Sequence, residues 1–197
     1  VVEKYMAKIN EKLGTNYDLF NYYGAEDADR VIIAMGSICD VAEEVIDYLT
    51  AKGEKVGLVK VRLYRPFSAD RLVAAIPATA KKIAVLDRTK EPGALGEPLY
   101  LDVVTALATK GVTAKVCGGR YGLGSKDTPP SSVFAVYDEL KKDEPKNQFT
   151  IGINDDVTHL SLEEKEAPNT AAPGTIECKF WGLGGDGTVG ANTDSIK

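Results

Sequence analysis

Two sets of residues in this 197-residue chain have types and spacing suited to binding anions. In the first set, Gly182, Gly184 and Gly187 have the G-x-G-x-x-G spacing that lets backbone amides approach a phosphate. Guanidinium and ammonium groups, which bind phosphate and carboxylate through charge-assisted hydrogen bonds, make up the second. These cations, each just after or at the end of a predicted strand, are Arg62, Arg65, Arg88, Lys90, Arg120 and Lys126.

The six cations have two interpretations, and the sequence leaves both open. They could receive a phosphorylated or carboxylated ligand, or an acidic protein surface. They could equally be surface residues that pair with Asp87, Glu91 and Glu97 in the same segments. Exposed pairs of that kind contribute about 1 kcal/mol or less to stability.

Three further candidates carry weaker signals. The stretch GRYGLGSK (119–126) has the composition of a phosphate loop without Walker A spacing, so its glycines are interpreted as turns. His159, the sole histidine, follows Asp155 with no nucleophile at hand, which favours a solvated or capping role over a triad. Cys39 lies near a predicted helix start, where a thiolate would be favoured, but is assigned no chemistry. The sequence therefore names no catalytic residue and no metal ligand.

The C-terminal glycine loop also has two interpretations. After a predicted strand over 176–181, it fits a dinucleotide-binding loop, although no ribose-binding acid follows. Gly185-Asp186-Gly187 also matches the opening of the magnesium–diphosphate motif of thiamine enzymes, whose asparagines do not follow either. Thr188 could cap a helix there, and outward-facing amides would then form an anion site.

Strands and helices alternate along the part of the chain that must position these residues. The predicted strands cover 31–37, 55–64, 81–89, 113–122 and 147–153, and the predicted helices 39–53, 68–80, 98–111 and 129–142. Alternation of this kind predicts an α/β fold with a mainly parallel sheet and helices on both faces. Ligands collect at the strand ends of such sheets, so the six cations are predicted to share one edge.

The chain divides into four predicted parts. Residues 1–29 contain a helix over Val2–Leu13, ended by Gly14, and then an irregular aromatic strap over 15–29. Residues 30–153 form the α/β domain, and the polar, proline-bearing residues 154–175 form a linker. Residues 176–197 begin a further unit. Because the sequence lacks an initiator Met and ends inside a motif, we expect a segment of a longer polypeptide.

Composition excludes several classes of protein. A net charge of −5 provides no basic surface for nucleic acid or an anionic membrane. No apolar run is long enough to cross a bilayer, and the first residues lack the pattern of a signal peptide. Three widely spaced cysteines suit a reducing compartment better than a disulfide framework. We expect a cytoplasmic protein that binds neither nucleic acid nor membrane.

Several longer segments of the sequence resemble one enzyme family. Six of them are AMGSICD, VKVRLYRPFS, KKIAVLDRTKEPGALGEPLYLDV, GGRYGLGSK, FTIGINDDVTHLSL and ECKFWGLGGDGTVGAN. In order and without large gaps, they resemble the central part of pyruvate:ferredoxin (flavodoxin) oxidoreductase. The family's enzymes are long multidomain chains that use thiamine diphosphate, magnesium and iron–sulfur clusters. They decarboxylate pyruvate, transfer the acetyl group to coenzyme A and pass electrons to ferredoxin or flavodoxin.

The resemblance implies a fold like the C-terminal domain of transketolases for the α/β domain. It also implies that residues 1–29 are the tail of a preceding domain and that 176–197 begin a domain that contributes to the coenzyme A site. The residues implied to line that site are Gly184, Gly185, Asp186, Gly187, Thr188 and Val189. Thr193 stands where the family is expected to carry a lysine, so a cationic contact there is in doubt.

The resemblance further implies that this segment is inactive alone. The family holds thiamine diphosphate and pyruvate between other domains, and this sequence has no Cys-x-x-Cys set for a cluster. Its cations would then dock neighbouring domains or the second subunit of a homodimer. The alternative is a stand-alone α/β module that binds an anionic metabolite.

Overall fold

The computed structural model describes residues 1–182, 184 and 187–195. Within them the strands are β1 (Phe20–Gly24), β2 (Arg30–Ala34), β3 (Val56–Val61), β4 (Lys82–Asp87), β5 (Lys115–Arg120) and β6 (Phe149–Thr150). The helices are α1 (Val2–Leu13), α2 (Ile38–Ala51), α3 (Ala69–Ala75), α4 (Pro98–Thr109), α5 (Pro130–Lys141) and α6 (Thr188–Ser195). From β2 to β6, strands and helices alternate as predicted.

The strands form one sheet in the order β1-β3-β2-β4-β5-β6. Only the edge strand β1 is antiparallel to its neighbour β3; the other pairs are parallel. Strand β2 lies between β3 and β4: its Val31 aligns with Gly57 of β3 on one side and with Ile83 of β4 on the other. The predicted α/β fold with a mainly parallel sheet is confirmed.

Helices cover both faces of the sheet, which explains the continuous apolar runs of its central strands. On one face, Ile46 of α2 and Val136 of α5 pack with Ile32 of β2. On the other, Leu72 of α3 and Leu99 of α4 are fully buried. Successive β2 residues alternate between these two cores, so the sheet is held from both sides.

The N-terminal part confirms one prediction and corrects another. Helix α1 has the predicted bounds and ends at Gly14 in a left-handed conformation with φ of 66°. The prediction of an irregular strap over 15–29 is wrong for residues 20–24, because these residues form β1, which pairs with β3 and buries Phe20. Its sequence, FNYYG, combines aromatic residues, which are enriched in strands, with asparagine and glycine, which are depleted, so local preference did not decide the element.

Two predictions near the C-terminal end are wrong in part. Residues 176–181 form no strand: Ile176 and Trp181 are exposed, and no strand among the described residues pairs with that segment. The predicted linker 154–175 is not wholly free of the domain, since the Leu162 amide donates to the Thr150 carbonyl at 2.9 Å and its side chain is buried. The domain boundaries themselves stay predictions.

Candidate anion-binding site at the carboxyl edge of the sheet

The chain leaves β2 and β4 toward opposite faces of the sheet. After β2 it enters α2 on one face, and after β4 it enters α4 on the other. Because the two strands are neighbours, their loops separate and leave a crevice outside the carboxyl ends. Ligands of open α/β sheets bind in crevices of this type.

A cleft of 320 Å³ lies at this crevice. Its wall combines the start of α2, the residue after β4 and the loop between β5 and α5. The lining residues are Ser37, Ile38, Val41, Arg88, Tyr121, Lys126, Asp127, Thr128 and Pro129. The volume is at the lower end of the range typical for small-molecule sites, roughly 300–1,000 Å³. We call it the switch-point cleft.

Tyr121 fixes one wall of the switch-point cleft. Its ring is buried, and its hydroxyl donates to the Met35 carbonyl at 3.0 Å, joining the end of β5 to the end of β2. Burial raises the pKa of Tyr121 above its ordinary value. The hydroxyl therefore remains protonated at neutral pH and acts as a structural donor.

The Arg88 side chain, which lines the switch-point cleft, packs against Gly122. A Cβ built on Gly122 would lie 2.7 Å from Arg88 Nε, so the guanidinium stem packs directly against the glycine backbone. Gly122 also has a φ of +61°, a left-handed conformation that side chains disfavour. The absence of a side chain at residue 122 thus permits both the turn and the position of Arg88.

Two of the six predicted cations meet at this cleft. Arg88 and Lys126 both line it, and within the described residues neither side chain has a hydrogen bond or an ion pair. Asp127 contributes one negative charge to the same wall. The side chains of the cleft therefore carry a net charge of about +1 at neutral pH.

Arg120 has the structural role given by the simpler interpretation. Its Nε donates to Glu97 Oε1 at 2.6 Å, and its two terminal nitrogens donate to the carbonyl and side-chain oxygens of Gln148 at 3.0 and 3.2 Å. Both Arg120 and Glu97 are largely withdrawn from solvent. Arg120 is consequently part of the fold and is not available to a ligand.

The remaining three cations lie away from the cleft lining. Arg65 donates to Asp102 at 2.8 Å, and Arg62 lies over the Tyr17 ring with 5.2 Å to its centroid. Lys90 is exposed. Of the six cations predicted to share this edge, Arg88 and Lys126 line the cleft, whereas Arg120 is paired within the fold. Ligand binding by Arg88 and Lys126 stays a prediction.

Asp87, predicted as a possible ion-pair partner, instead begins α4. Its carboxylate accepts hydrogen bonds from the amides of Leu99 at 2.9 Å and Tyr100 at 3.1 Å. Burial raises the pKa of Asp87, and the two amide donors oppose that shift. This carboxylate is thus committed to the helix terminus.

The weaker sequence candidates remain without catalytic partners. Burial raises the pKa of the Cys39 thiol to about 11, so this sulfur is not a ready nucleophile at neutral pH. His159 is exposed with a φ of +54°, and its carbonyl accepts from Lys146 Nζ at 3.1 Å. Asp155 accepts from the amides of Val157 and Thr158 at 3.0 and 2.9 Å. It forms a turn and no triad.

Sequence reasoning missed several lining residues of the cleft. Ser37, Thr128 and Pro129 line the cleft, and nothing in their residue types singles them out in the sequence. The usable signal was the strand-end position of MGSICD (35–40), which the fold places beside the end of β4. Gly122 and Gly124 form turns, with φ of 61° and 64°, as the sequence predicted.

The predicted coenzyme A loop is described in part. Gly184 and Gly187 have left-handed φ values of 77° and 84°, and α6 begins at Thr188 with Val189 exposed. Gly185 and Asp186 lie outside the described residues. The arrangement of left-handed glycines before a helix start is one that presents amides to anions, and its role stays a prediction.

The fold and the cleft define a mainly parallel α/β module with its crevice between β2 and β4. Residues 28–133 match the sequence model of pyruvate:ferredoxin oxidoreductase core domain II. Because that match covers more than half of the chain, the chain belongs to this family.

Individual relatives match over the whole chain. It is 60% identical over 197 residues to pyruvate:ferredoxin oxidoreductase of Moorella thermoacetica and 54% identical over 198 aligned positions to pyruvate-flavodoxin oxidoreductase of Enterobacter agglomerans. The chain spans 17% of the length of each relative. A solved 2-oxoglutarate:ferredoxin oxidoreductase from Magnetococcus marinus, with 2-oxoglutarate, coenzyme A and succinyl-CoA bound, aligns with 71% of this chain and 22% of its own. The TM-score is 0.47 at 23% identity.

Proposed function

We propose that this chain is a non-catalytic segment of an enzyme that oxidatively decarboxylates pyruvate to acetyl-CoA and CO2, with ferredoxin or flavodoxin accepting the electrons. The observation that carries the proposal is the 60% identity to the Moorella enzyme across all 197 residues. The family match over 28–133 supports it independently.

The segment's role is to supply structure at interfaces with other domains and with the second subunit of a homodimer. Helix α1 has no buried residue, and its apolar side chains Tyr5, Ile9 and Leu13 face solvent. Ile176 and Trp181 are likewise 87% and 81% exposed. Apolar surface of this kind gains about 25 cal/mol per Å² when a neighbouring domain covers it.

Coenzyme A is proposed to contact the glycine loop and the start of α6. The residues in question are Gly184, Gly185, Asp186, Gly187, Thr188 and Val189. The left-handed glycines on either side of the loop and the helix start behind it support this assignment. Amides at a helix N-terminus favour phosphate groups, of which coenzyme A carries several.

The other cofactors are proposed to be bound elsewhere in the enzyme. Within the described residues, no group of three or more histidine, cysteine, aspartate or glutamate side chains is placed to hold a metal ion. Iron–sulfur clusters, and thiamine diphosphate with magnesium, are assigned to other domains of the enzyme. A cytoplasmic location is proposed because the three cysteines are unpaired. In the part that the structure describes, no helix has the length and apolarity to cross a membrane.

A chimera tests the proposal directly. The segment should replace its counterpart in the Moorella enzyme with retention of pyruvate-dependent reduction of a viologen dye, whereas the 197-residue chain alone should show none. The counterpart segment expressed alone is the matched control. Turnover by the isolated chain, or a folded chimera that binds its cofactors but is inactive, would contradict the assignment.

The loop is tested in the same chimera by paired glycine substitutions. Gly187→Ala forces a side chain onto a φ of +84°, whereas Gly190→Ala lies inside α6 with open space around it. We expect Gly187→Ala to raise the KM for coenzyme A by about tenfold and to leave the KM for pyruvate unchanged. Equal changes for both substrates, or an equal effect of Gly190→Ala, would remove the loop from the coenzyme A site.

A further inference from the structure

We propose that the switch-point cleft binds a small organic phosphate monoester through Arg88 and Lys126. This site is separate from the glycine loop assigned to coenzyme A and does not depend on the activity proposed above. It rests on three observations: the place of the cleft in the sheet, its two cations without an ion-pair partner among the described residues, and its mixed polar and apolar wall.

The place of the cleft is the first observation. It opens outside the carboxyl ends of β2 and β4, where the connections diverge to opposite faces. Helix α2, fourteen residues long, begins in the cleft wall with Ser37 and Ile38, so the positive end of its dipole faces the opening. A helix start alone would not define a site, but here it coincides with side-chain cations.

The cations are the second observation. Neither Arg88 nor Lys126 has a hydrogen-bond or ion-pair partner for its side chain among the described residues, while Arg65 and Arg120 on the same edge do. The packing of Arg88 against Gly122 holds its guanidinium beside the cleft. A phosphate monoester carries close to two negative charges at neutral pH and thus matches the two cations.

The rest of the cleft lining is the third observation. Ile38 and Tyr121 are buried residues at the cleft, and Val41 and Pro129 extend the apolar surface. The cleft volume of 320 Å³ leaves room for an organic group attached to the phosphate. The hydroxyls of Ser37 and Thr128 provide neutral hydrogen-bond donors in the same wall.

The proposal is tested with phenyl phosphate and inorganic phosphate on the full 197-residue chain. Amide chemical shifts are recorded by NMR during titration, and affinities are measured by calorimetry. We expect saturable shifts at Ser37, Ile38 and Tyr121 through Thr128, and phenyl phosphate should bind more tightly than inorganic phosphate because its ring contacts the apolar wall.

Substitutions that each remove one charge test whether Arg88 and Lys126 bind the phosphate. Arg88→Gln and Lys126→Gln should each weaken phenyl phosphate by about tenfold. Asp127→Asn should strengthen it severalfold because it removes the negative charge from the wall. Arg62→Gln and Lys90→Gln, exposed cations outside the cleft, should leave the affinity unchanged.

Three results would overturn the proposal. One is a titration that does not saturate or that shifts amides over the whole surface. Another is an Arg88→Gln variant that binds as the parent does, and the third is an equal loss in Arg62→Gln, which would indicate diffuse charge attraction. Because Arg88 and Lys126 are exposed, both variants are expected to fold, and their amide spectra report this in the same experiment.

Discussion

Two adjoining regions of the carboxyl edge use arginine in opposite ways. At the end of β5, Arg120 is largely withdrawn from solvent against Glu97 and Gln148, and its donors are used within the fold. After β4, Arg88 lies at an open cleft with no carboxylate partner among the described residues. Both arginines follow the carboxyl end of a parallel strand or terminate it, so position along the strand does not distinguish them.

The difference lies in whether a carboxylate comes within reach and how much water remains. A buried cation without a partner would be strongly disfavoured, so Arg120 requires Glu97. An exposed cation keeps its hydration and needs none, which leaves Arg88 free to exchange water for an anion. A partner within the fold therefore identifies Arg120 as a structural cation, whereas Arg88 stays accessible to an anion from solution.

The largest expected effect is the loss of the buried pair. Arg120→Ala leaves Glu97 as an unpaired charge that is only 1% exposed, and we expect it to lower the free energy of unfolding by about 3–5 kcal/mol. Arg88→Ala should change it by about 0.5 kcal/mol or less. Urea denaturation measures both. Adding Glu97→Gln to Arg120→Ala should recover part of the loss, and equal losses at Arg88 and Arg120 would contradict the comparison.

The second prediction concerns Cys39, whose chain neighbour Ile38 lines the cleft. Burial raises the pKa of Cys39 to about 11 and that of Cys117 to about 12, whereas Cys178 is exposed. At pH 8 about one Cys39 thiol in a thousand is thiolate, so iodoacetamide should modify Cys178 at least about a hundredfold faster. Peptide mass spectrometry follows each site, with the urea-unfolded chain as control. Rapid labelling of Cys39 would show that the cleft exposes its sulfur.

The third prediction separates backbone strain from the position of Arg88. Gly122→Ala and Gly124→Ala both place a side chain at a left-handed φ, but only the former meets Arg88. Each should cost about 1–2 kcal/mol in unfolding free energy. Gly122→Ala alone should also weaken phenyl phosphate, by severalfold, because it displaces the guanidinium. Equal affinities for the two variants would argue that Gly122 does not position Arg88.

The smallest expected effect is at Asp155, a partly exposed carboxylate that follows β6. The hydroxyl and the amide of Thr158 donate hydrogen bonds to the Asp155 carboxylate, and these bonds lower the pKa of Asp155 to about 2. A lowered acid pKa stabilises the fold above the ordinary value of 3.8, and this contribution is lost as pH falls from about 4 to 2. Asp155→Ala should therefore give a shallower acid limb of unfolding free energy against pH. The control is Asp156→Ala, because the Asp156 side chain has no hydrogen bond among the described residues. If Asp155→Ala leaves the acid dependence of the unfolding free energy unchanged, the Asp155 hydrogen bonds do not stabilise the fold.

Patterns of apolar residues predicted the strands that are buried on both faces. They did not predict strands whose formation depends on pairing with a distant segment. The run of Val31 to Ala34 indicated a buried strand because both of its faces are apolar. Strand β1 was missed because its order depends on β3, more than thirty residues further along. Residues 176–181 had the apolar pattern of a strand but have no strand beside them to pair with. An apolar pattern therefore predicts that a segment can form a strand, but the strand forms only where a neighbouring strand is placed to hydrogen-bond with it.

The sequence by itself determined the α/β class, the order of the main elements and the family, since periodicity and long words are local properties. It also located the cations at strand ends. Tertiary structure alone decided which of them are bound within the fold, because Glu97 reaches Arg120 across twenty-three positions and Gly122 meets Arg88 across thirty-four. Contacts at such separations depend on the sheet order, and no local pattern encodes them.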